Sequence, residues 1–317
     1  MADIPQPQLS PVCAEESGQK LLQFLQRRLA LPSPLLHRWI RTGQVRRNGA
    51  RCKPFERIAA GDLIRLPPFA GRMAEIRPSH SMELQAEASL PLPPKIGEEG
   101  DLWAFNKPSG LPVHPGTGHG DSLWTRLTAH FQNAPFRPTP IHRLDKDTSG
   151  VLLTAFSYEA LAAAQKAIRC GTLVKEYVAW VSGRWPFTEP HRLEHTLCKK
   201  RVGGYEKMHV NAAVTSGWQA HCVVYPLHVC AQESLVLVRL LTGRTHQIRV
   251  QLAAQGHAII GDAKYGHGMS DTCRHDEGLL LHALRVTLPS GRTFSCLPPW
   301  TDKYALTKLP EMSADNT

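Results

Sequence analysis

Apolar residues recur at helical spacing in two short segments near the start of the chain. They fall on one helical face between residues 21 and 29, and again between residues 35 and 40 after two prolines. This pattern predicts two short helices. The segment 44–47 then predicts a strand entering the Asn48-Gly49 turn, and residues 63–66 predict another strand.

The pattern changes after residue 101, where strand-like segments outnumber helix-like ones. Residues 174–181 and 234–241 are rich in valine, leucine and aromatic side chains, which predicts strands. Ser157 is expected to cap an alanine-rich helix and Thr245 to cap a second helix. We therefore predict an α+β fold with a largely antiparallel sheet, flanking helices and a small N-terminal α+β domain.

The net charge of +10 is concentrated in the first of these regions. Residues 18–67 hold eleven lysines and arginines against one glutamate and one aspartate. Such a concentration is typical of a surface that binds a polyanion, because each phosphate contact releases condensed counterions. A basic surface that serves only solubility is the alternative. The candidate RNA contacts are Arg38, Arg41, Arg46, Arg47 and Arg51.

The helix pair, the "GQVRRNG" turn and the "GDLIRL" ending of this basic region resemble the ribosomal-protein-type (S-four-like) RNA-binding domain. A proline-rich stretch of different composition follows it, which indicates a linker. The expected organisation is a flexible N-terminus (1–17), an S-four-like RNA-binding domain (18–67), a linker (68–97), a catalytic domain (98–309) and a C-terminal tail (310–317).

Composition excludes several other classes of protein. The first twelve residues are polar and proline-rich, unlike a signal peptide, and no apolar run is long enough to cross a bilayer. The eight cysteines form no Cys-x-x-Cys pair, and Cys273-x-His275 is the nearest approach to a zinc pattern. We therefore expect a cytoplasmic protein without a metal site or membrane contact.

The segment "IHRLDKDTSG" (141–150) combines both charge signs with turn formers and runs directly into an apolar stretch. A calcium loop is excluded because its twelfth position is Phe156 instead of glutamate. A phosphoaspartyl site fails because its apolar strand would precede the aspartates, and the companion motifs of a kinase catalytic loop are missing. A turn in which Asp145 pairs with Arg143 remains open at this point.

Four further segments place this loop in a known context. They are "FNKPSGLPVHPG" (105–116), "KEYVAWVSG" (175–183), "LLTGRTHQIRVQLAAQGHAIIGDAKYG" (240–266) and "LLLHALRVTLP" (279–289). In this order and spacing they resemble the RluA-type family of pseudouridine synthases. The resemblance implies a bent, largely antiparallel sheet with a central active-site cleft. It also implies the isomerisation of uridine to pseudouridine within structured RNA, without a cofactor.

The resemblance assigns roles residue by residue. Asp145 is implied as the catalytic carboxylate, Arg244 as the cation that orients it, and Tyr177 as the ring that stacks on the uracil. A cation beside the carboxylate is also a physical requirement, because an anion in a partly dry site must be stabilised. The residues expected to bind substrate or line the RNA path are His142, Arg143, Lys107, His246 and Arg249.

Two positions depart from the family pattern: Gln251 replaces a usual histidine, and Ala258 replaces a usual proline. Substrate choice is expected to lie in the Lys-, Arg- and His-rich loop 184–208. Large-subunit ribosomal RNA is the favoured target and transfer RNA the alternative, for a protein expected to be a monomer. A non-catalytic RNA-binding or ribosome-assembly factor, and far below it an aspartyl phosphotransferase, are the other hypotheses.

Overall fold

The computed structural model describes residues 9, 11–29, 31–70, 90–115, 120–202, 205–210, 217–266 and 278–310. Residues 1–8, most of the predicted linker and nearly all of the predicted C-terminal tail lie outside these ranges, as does the Cys273-x-His275 candidate. No described helix combines the length and the apolarity that crossing a bilayer would require.

Of the described helices, two lie in the first half of the N-terminal region and three belong to the second region. They are α1 (Leu21–Leu29), α2 (Ser33–Arg41), α3 (Leu123–His130), α4 (Tyr158–Arg169) and α5 (Gln247–Ala254). Two single 3-10 turns, at Ala14–Glu16 and Asp302–Tyr304, complete the helical structure of the described residues.

Among the described residues, three short strands lie in the N-terminal region and eleven lie in the second region. The first three are β1 (Arg46–Arg47), β2 (Ala50–Arg51) and β3 (Ile64–Arg65). The others are β4 (Lys95–Glu99), β5 (Leu102–Lys107), β6 (Thr139–Pro140), β7 (Ser149–Ala155), β8 (Val174–Ser182), β9 (His191–Val202), β10 (Tyr205–Val210), β11 (Trp218–Val229), β12 (Glu233–Leu240), β13 (Leu281–Thr287) and β14 (Thr293–Ser295).

The N-terminal region has a hydrophobic core of its own, to which α1 and α2 contribute their apolar faces. Phe24, Leu25 and Leu36 are fully buried there, and burial of side chains of this size stabilises a fold by roughly 1.5–3 kcal/mol each. The strands form an antiparallel sheet in the order β2-β1-β3. Asn48 and Gly49 both adopt positive φ angles, which is the geometry that a two-residue hairpin turn requires. The predicted helix pair and turn are therefore confirmed.

The second region is built on one eleven-stranded sheet. Its main path runs β10-β9-β11-β12-β8-β13-β7-β5-β4, with β14 beside β13 and β6 beside β7. Every pairing is antiparallel except that of β7 with β13. The predicted α+β class with a largely antiparallel sheet is confirmed.

The segment predicted to be a loop that governs substrate choice, 184–208, is mostly strand. It contains β9 and the first part of β10, paired as an antiparallel hairpin in which Lys199 lies opposite Met208. The many basic residues indicated a surface loop. They also obscure the alternation of apolar and polar residues that predicts a strand with one exposed face. The substrate-choice role itself stays a prediction.

The parallel pairing of β7 and β13 fixes the point where the "IHRLDKDTSG" loop enters the sheet. Gly150 has φ +109°, and a Cβ atom there would lie 2.2 Å from the Ala283 carbonyl oxygen. Next to it, Ser149 Oγ lies 2.8 Å from Nδ1 of the fully buried His282. Burial lowers the pKa of His282 to about 4, so the ring is neutral at pH 7. The loop thus ends in a tightly packed, uncharged part of the core.

The helices of the second region cover the sheet and fix its loops. Ser157 Oγ accepts a hydrogen bond from the Ala160 amide at 3.2 Å, which confirms the predicted cap of α4. The predicted cap of the last helix is wrong. Helix α5 begins at Gln247 after His246, which has the left-handed φ of 53°, and the Thr245 side chain does not cap it.

Candidate active site

A cavity of about 470 Å³ opens over the central strands of the sheet. Its walls are the loop 141–148, the end of α4, the first residues of β8, the segment 240–249 and Leu281 of β13. Of the residues implied in chemistry, Asp145, Tyr177 and Arg244 all line this cavity. Its volume falls in the range of 300–1,000 Å³ that is usual for small-molecule sites.

Lys107, the last residue of β5, joins the loop that carries Asp145 to the segment after β5. Lys107 is completely buried, and its ammonium donates hydrogen bonds to the carbonyl oxygens of Pro108, Leu111 and Lys146 at 2.8–3.0 Å. Burial lowers the pKa of Lys107 to about 7, against the opposing charge of nearby carboxylates. The expected place of Lys107 on the RNA path is therefore wrong, because no face of this side chain reaches solvent.

Asp145 itself is sheltered but accessible from the cavity, with 15% of its side chain exposed. Its Oδ2 accepts a hydrogen bond from Nη1 of Arg249 at 3.3 Å, and its Oδ1 lies 3.9 Å from Nε2 of His246. The turn that would pair Asp145 with Arg143 is not formed, since Arg143 is exposed at the rim and the described ion pairs of Asp145 are with Arg249 and His246. The carboxylate therefore has a neighbouring cation, as was expected of it from the sequence.

That cation is not the predicted one. Arg244 Nε donates to the carbonyl oxygen of Gln219 at 2.9 Å, and its side chain is exposed at the cavity rim. Arg249 instead projects from α5 into the site with only 8% of its side chain exposed. The structure therefore replaces Arg244 by Arg249 as the partner of Asp145, and it removes Arg249 from the solvent-facing RNA path.

The charge of Arg249 is secured by two carboxylates. Burial opposes that charge, but the hydrogen bonds and negative charges of Asp262 and Asp145 outweigh burial and raise the pKa of Arg249. Asp262 was not among the predicted site residues, although it lies in the quoted "GDAKYG" segment. Its role could not be read from spacing, because it contacts Arg249 across a turn and not along the helix.

Tyr177 lies on β8 with its ring facing the cavity and 6% of the residue exposed. Burial, and after it the charge of Asp145, raises the pKa of the phenol well above its usual range. The hydroxyl therefore keeps its proton at neutral pH. Lys175 lies two residues earlier on the same face of β8 and also lines the cavity. Sequence reasoning missed Lys175, although the strand period placed it beside Tyr177.

The two histidines of the predicted substrate site differ in their surroundings. His142 Nε2 accepts the Leu153 amide at 3.2 Å, and burial, followed by the charge of Lys175, lowers its pKa to about 3. His142 is therefore a neutral ring that joins the loop to β7. His246 lines the cavity, and its Nδ1 lies 2.8 Å from the hydroxyl of Tyr265. Only His246 of the two faces Asp145.

The two departures from the family pattern lie away from the cavity lining. Gln251 is completely buried, and its amide nitrogen donates to the carbonyl oxygens of Leu193 and Ala220 at 3.3 and 3.0 Å. It joins α5 to β9 and β11. The Ala258 carbonyl accepts the Ser182 amide at 2.9 Å. Both positions therefore serve packing around the site and not its chemistry.

Comparison with known proteins agrees with this geometry. Residues 101–254 match the family described as RNA pseudouridylate synthase. Ribosomal large subunit pseudouridine synthase C of Yersinia pestis is 33% identical over 299 residues, which cover 91% of this chain and 90% of the relative. The protein of the same name from Escherichia coli strain K12 is 33% identical over 297 residues, which cover 90% of this chain and 91% of the relative. The chain belongs to the RNA pseudouridylate synthase family.

The family match and these relatives confirm the predicted RluA-type assignment and the predicted enzyme class, an RNA pseudouridine synthase. The fold of the chain is shared with the solved structure of human RNA pseudouridylate synthase domain containing 1, at a TM-score of 0.56 and 22% identity over 70% of this chain and 91% of that chain. The solved structure of human RNA pseudouridylate synthase domain containing 4 gives a TM-score of 0.54 at 22% identity, over 70% of this chain and 93% of that chain. The hypothesis of a non-catalytic RNA-binding factor is not needed to explain the fold or the site.

Proposed function

We propose that this synthase isomerises uridines in large-subunit ribosomal RNA, with Asp145 as the catalytic carboxylate. The observation that carries the proposal is the pairing of Asp145 with Arg249 inside a cavity of nucleoside size. The names of the relatives, which match nine-tenths of the chain, support ribosomal RNA as the substrate.

The reaction breaks the bond between ribose C1′ and uracil N1 and forms a bond from C1′ to C5. The proton on C5 leaves and N1 gains one, so the exchange is redox-neutral. The carboxylate of Asp145 can attack C1′, add to the base, or assist formation of a glycal. In each route it must be ionised when the base departs, and Arg249 stabilises that charge.

Tyr177 supplies the surface on which the base rests. A buried aromatic ring that faces the cavity can stack on the uracil, and its protonated hydroxyl can donate a hydrogen bond or relay a proton late in the reaction. The phenol is not the resting-state base, because burial keeps it protonated. Its role is therefore to hold the base while the glycosidic bond is exchanged.

The cavity rim is suited to the phosphates around an extruded uridine. Arg143, Arg169 and Arg244 are exposed and line the cavity together with the buried Lys175, and Asp145 is the acidic residue among the lining side chains. A base in paired RNA must leave its stack to reach such a site, and cations at the rim can hold the flanking backbone. A phosphate contact is thus the role we assign to the exposed guanidinium of Arg244.

A second basic surface lies on the N-terminal region. Here a groove of about 630 Å³ is lined by Arg38, Arg41, Arg51 and Lys53, with Glu56 as the acidic lining residue. Phe55 next to it is 63% exposed, and the ammonium of Lys20 lies 5.3 Å from its ring centroid. Exposed aromatic rings among cations are typical of sites that bind unpaired nucleotides. We assign this basic groove to RNA binding.

The five arginines predicted to contact RNA separate into two groups. Arg38, Arg41 and Arg51 line the basic groove. Arg47 instead pairs with Asp62 at 2.6 Å, and Arg46 Nη1 donates to the Gly49 carbonyl at 3.1 Å. Arg46 is thus bound within the hairpin of β1 and β2, Arg47 is bound to the residue two before β3, and neither lines the groove.

Removal of charge from the groove is expected to weaken RNA binding without slowing the chemistry. In Arg38→Gln/Arg41→Gln, KM for RNA should rise about tenfold with kcat unchanged, because phosphate contacts contribute to binding alone. The slope of log K against log[salt] should fall by about two. Arg46→Gln is the matched control outside the groove. An equal loss of affinity in Arg46→Gln would contradict the assignment.

The proposed substrate is tested with RNA from a strain that lacks the protein. Purified enzyme is incubated separately with ribosomal RNA and with transfer RNA, and pseudouridines are mapped at nucleotide resolution. New pseudouridines are expected in the large-subunit RNA only, and none in reactions with Asp145→Asn. Product confined to transfer RNA or to the small-subunit RNA would refute the proposed substrate.

A further inference from the structure

The turn 261–266 lies directly behind Arg249 and is fixed to the sheet at its start. The Ile260 amide donates to the Trp180 carbonyl of β8 at 2.9 Å, and the Leu280 amide donates to the Ile260 carbonyl at 2.9 Å. Gly261 has φ +78°, and a Cβ atom there would lie only 1.8 Å from the Gly278 carbonyl oxygen. Close backbone approach therefore sets the position of this turn independently of Arg249.

Asp262, the second residue of the turn, binds one edge of the Arg249 guanidinium. Oδ2 accepts from Nε and Oδ1 from Nη2, both at 2.8 Å, and the carboxylate is completely buried. Oδ1 also accepts the amides of Lys264 and Tyr265 at 2.9 and 3.0 Å. The carboxylate is thus held by the backbone of its own turn, and the guanidinium is held by the carboxylate.

This arrangement decides how Arg249 meets Asp145. An arginine and a carboxylate that meet alone favour two parallel hydrogen bonds. Because Asp262 occupies the Nε–Nη2 edge, the contact recorded with Asp145 is a single one from Nη1, at 3.3 Å. The hydrogen bond from Arg249 reaches Oδ2 of Asp145, and Oδ1 lies 3.9 Å from Nε2 of His246 in the wall of the cavity.

Tyr265 supports the other group that faces Asp145. Its hydroxyl lies 2.8 Å from Nδ1 of His246 and accepts the Met208 amide at 3.3 Å. Its ring centroid is 5.3 Å from the guanidinium carbon of Arg249. One short turn therefore sets the orientation of both side chains beside Asp145.

We propose that Asp262 is a positioning residue that engages one edge of Arg249 and leaves Asp145 beside the cation but hydrogen-bonded to it through one oxygen. Tyr265 positions His246 in the same way. A carboxylate locked in a bidentate pair would lose the freedom to approach the nucleoside, whereas one without a cation would resist ionisation. By binding one edge of Arg249, Asp262 keeps a cation beside Asp145 and prevents a bidentate pair between them. The inference rests on the proposed catalytic role of Asp145.

The test measures single-turnover rates and RNA affinity of Asp262→Asn. The amide oxygen of asparagine can still accept the two backbone amides, but the charge and one acceptor for Arg249 are lost. We expect kcat to fall about 10- to 100-fold with KM for RNA unchanged, a loss of the size seen when the outer hydrogen-bond partner of a metal ligand is removed. Asp262→Glu, which keeps the charge, should retain more activity than Asp262→Asn.

A double-mutant cycle separates positioning from simple support of the fold. Lysine at position 249 cannot use a two-nitrogen edge, so Asp262→Asn should cost far less in the Arg249→Lys background than in the wild type. Equal costs in both backgrounds, or a kcat of Asp262→Asn within about twofold of wild type, would overturn the proposal.

Tyr265→Phe provides an independent arm should Asp262→Asn fail to fold, since it removes one hydroxyl from a half-exposed residue. A several-fold lower kcat with unchanged KM supports the proposal, and an unchanged kcat contradicts it. The catalytic role of Asp145 is tested by product formation in the wild type and its loss in Asp145→Asn. The positioning role of Asp262 is tested by the double-mutant cycle, which compares only variants that retain Asp145. The two proposals can therefore fail separately.

Discussion

Asp145→Asn is expected to abolish pseudouridine formation while leaving RNA affinity nearly unchanged. The substitution keeps the size of the side chain but removes the charge on which every route of the reaction depends. We expect kcat to fall by about four orders of magnitude or more, as for other removed nucleophiles. The protein should remain folded, because Arg249 keeps its buried partner Asp262. Single-turnover assays with mapped product, and RNA binding by filter retention, measure the two effects.

The chain offers a matched control two residues away. Asp147→Asn makes the same chemical change at an exposed side chain, while the backbone oxygen of Asp147 that accepts Ser109 Oγ at 2.8 Å is retained. Its kcat should stay within about threefold of wild type. If Asp145→Asn turns over normally, or if both variants lose activity equally, Asp145 is not the catalytic carboxylate.

The course of the "IHRLDKDTSG" segment shows what sequence reasoning could predict. Its turn formers and mixed charges indicated an exposed loop, and its apolar successor indicated a buried strand. Both features are present, because Asp145 must reach a cavity while Ser149 and Gly150 must pack against β13. The runs of valine, leucine and aromatic residues likewise predicted β8 and β12 to within a residue or two, since these central strands are mostly buried.

The exchange of Arg244 for Arg249 shows where such reasoning stops. Both arginines lie in the same short segment, and both line the cavity. Arg244 precedes α5, whereas Arg249 lies in its first turn and is buried. The helix begins only after His246, whose left-handed conformation no local sequence pattern indicates. Asp262 then holds Arg249 from a separate turn, a contact that only the folded chain brings about.

The charged residues of the N-terminal region give a similar lesson. Composition indicated a polyanion-binding surface and proposed five arginines for it. Which of these face outward together is decided by the Asn48-Gly49 turn, because Asp62 reaches back to bind both Asn48, at 2.8 Å, and Arg47. Charge counts cannot separate an arginine that is free to meet phosphate from one that already has a partner in the fold.

Arg249→Lys and Arg244→Lys make the same conservative change at the two arginines, and we expect the first to lower kcat and the second to raise KM. At position 249, lysine keeps the charge but loses the planar fork that bridges Asp262 and Asp145. We expect kcat to fall about a hundredfold, since misplacement of a catalytic group by about 1 Å costs that much. At position 244, kcat should be unchanged and KM should rise a few-fold, as for the loss of one phosphate contact.

Lysine is the better choice for this test than an apolar residue. Methionine at position 249 would leave Asp262 buried without a cation, which costs about 3–5 kcal/mol and would confuse loss of folding with loss of catalysis. Thermal unfolding of both lysine variants checks that they are folded. A lower kcat in Arg244→Lys with normal turnover in Arg249→Lys would show that Arg244 orients Asp145 when RNA is bound, and that the pairing with Arg249 is confined to the free enzyme.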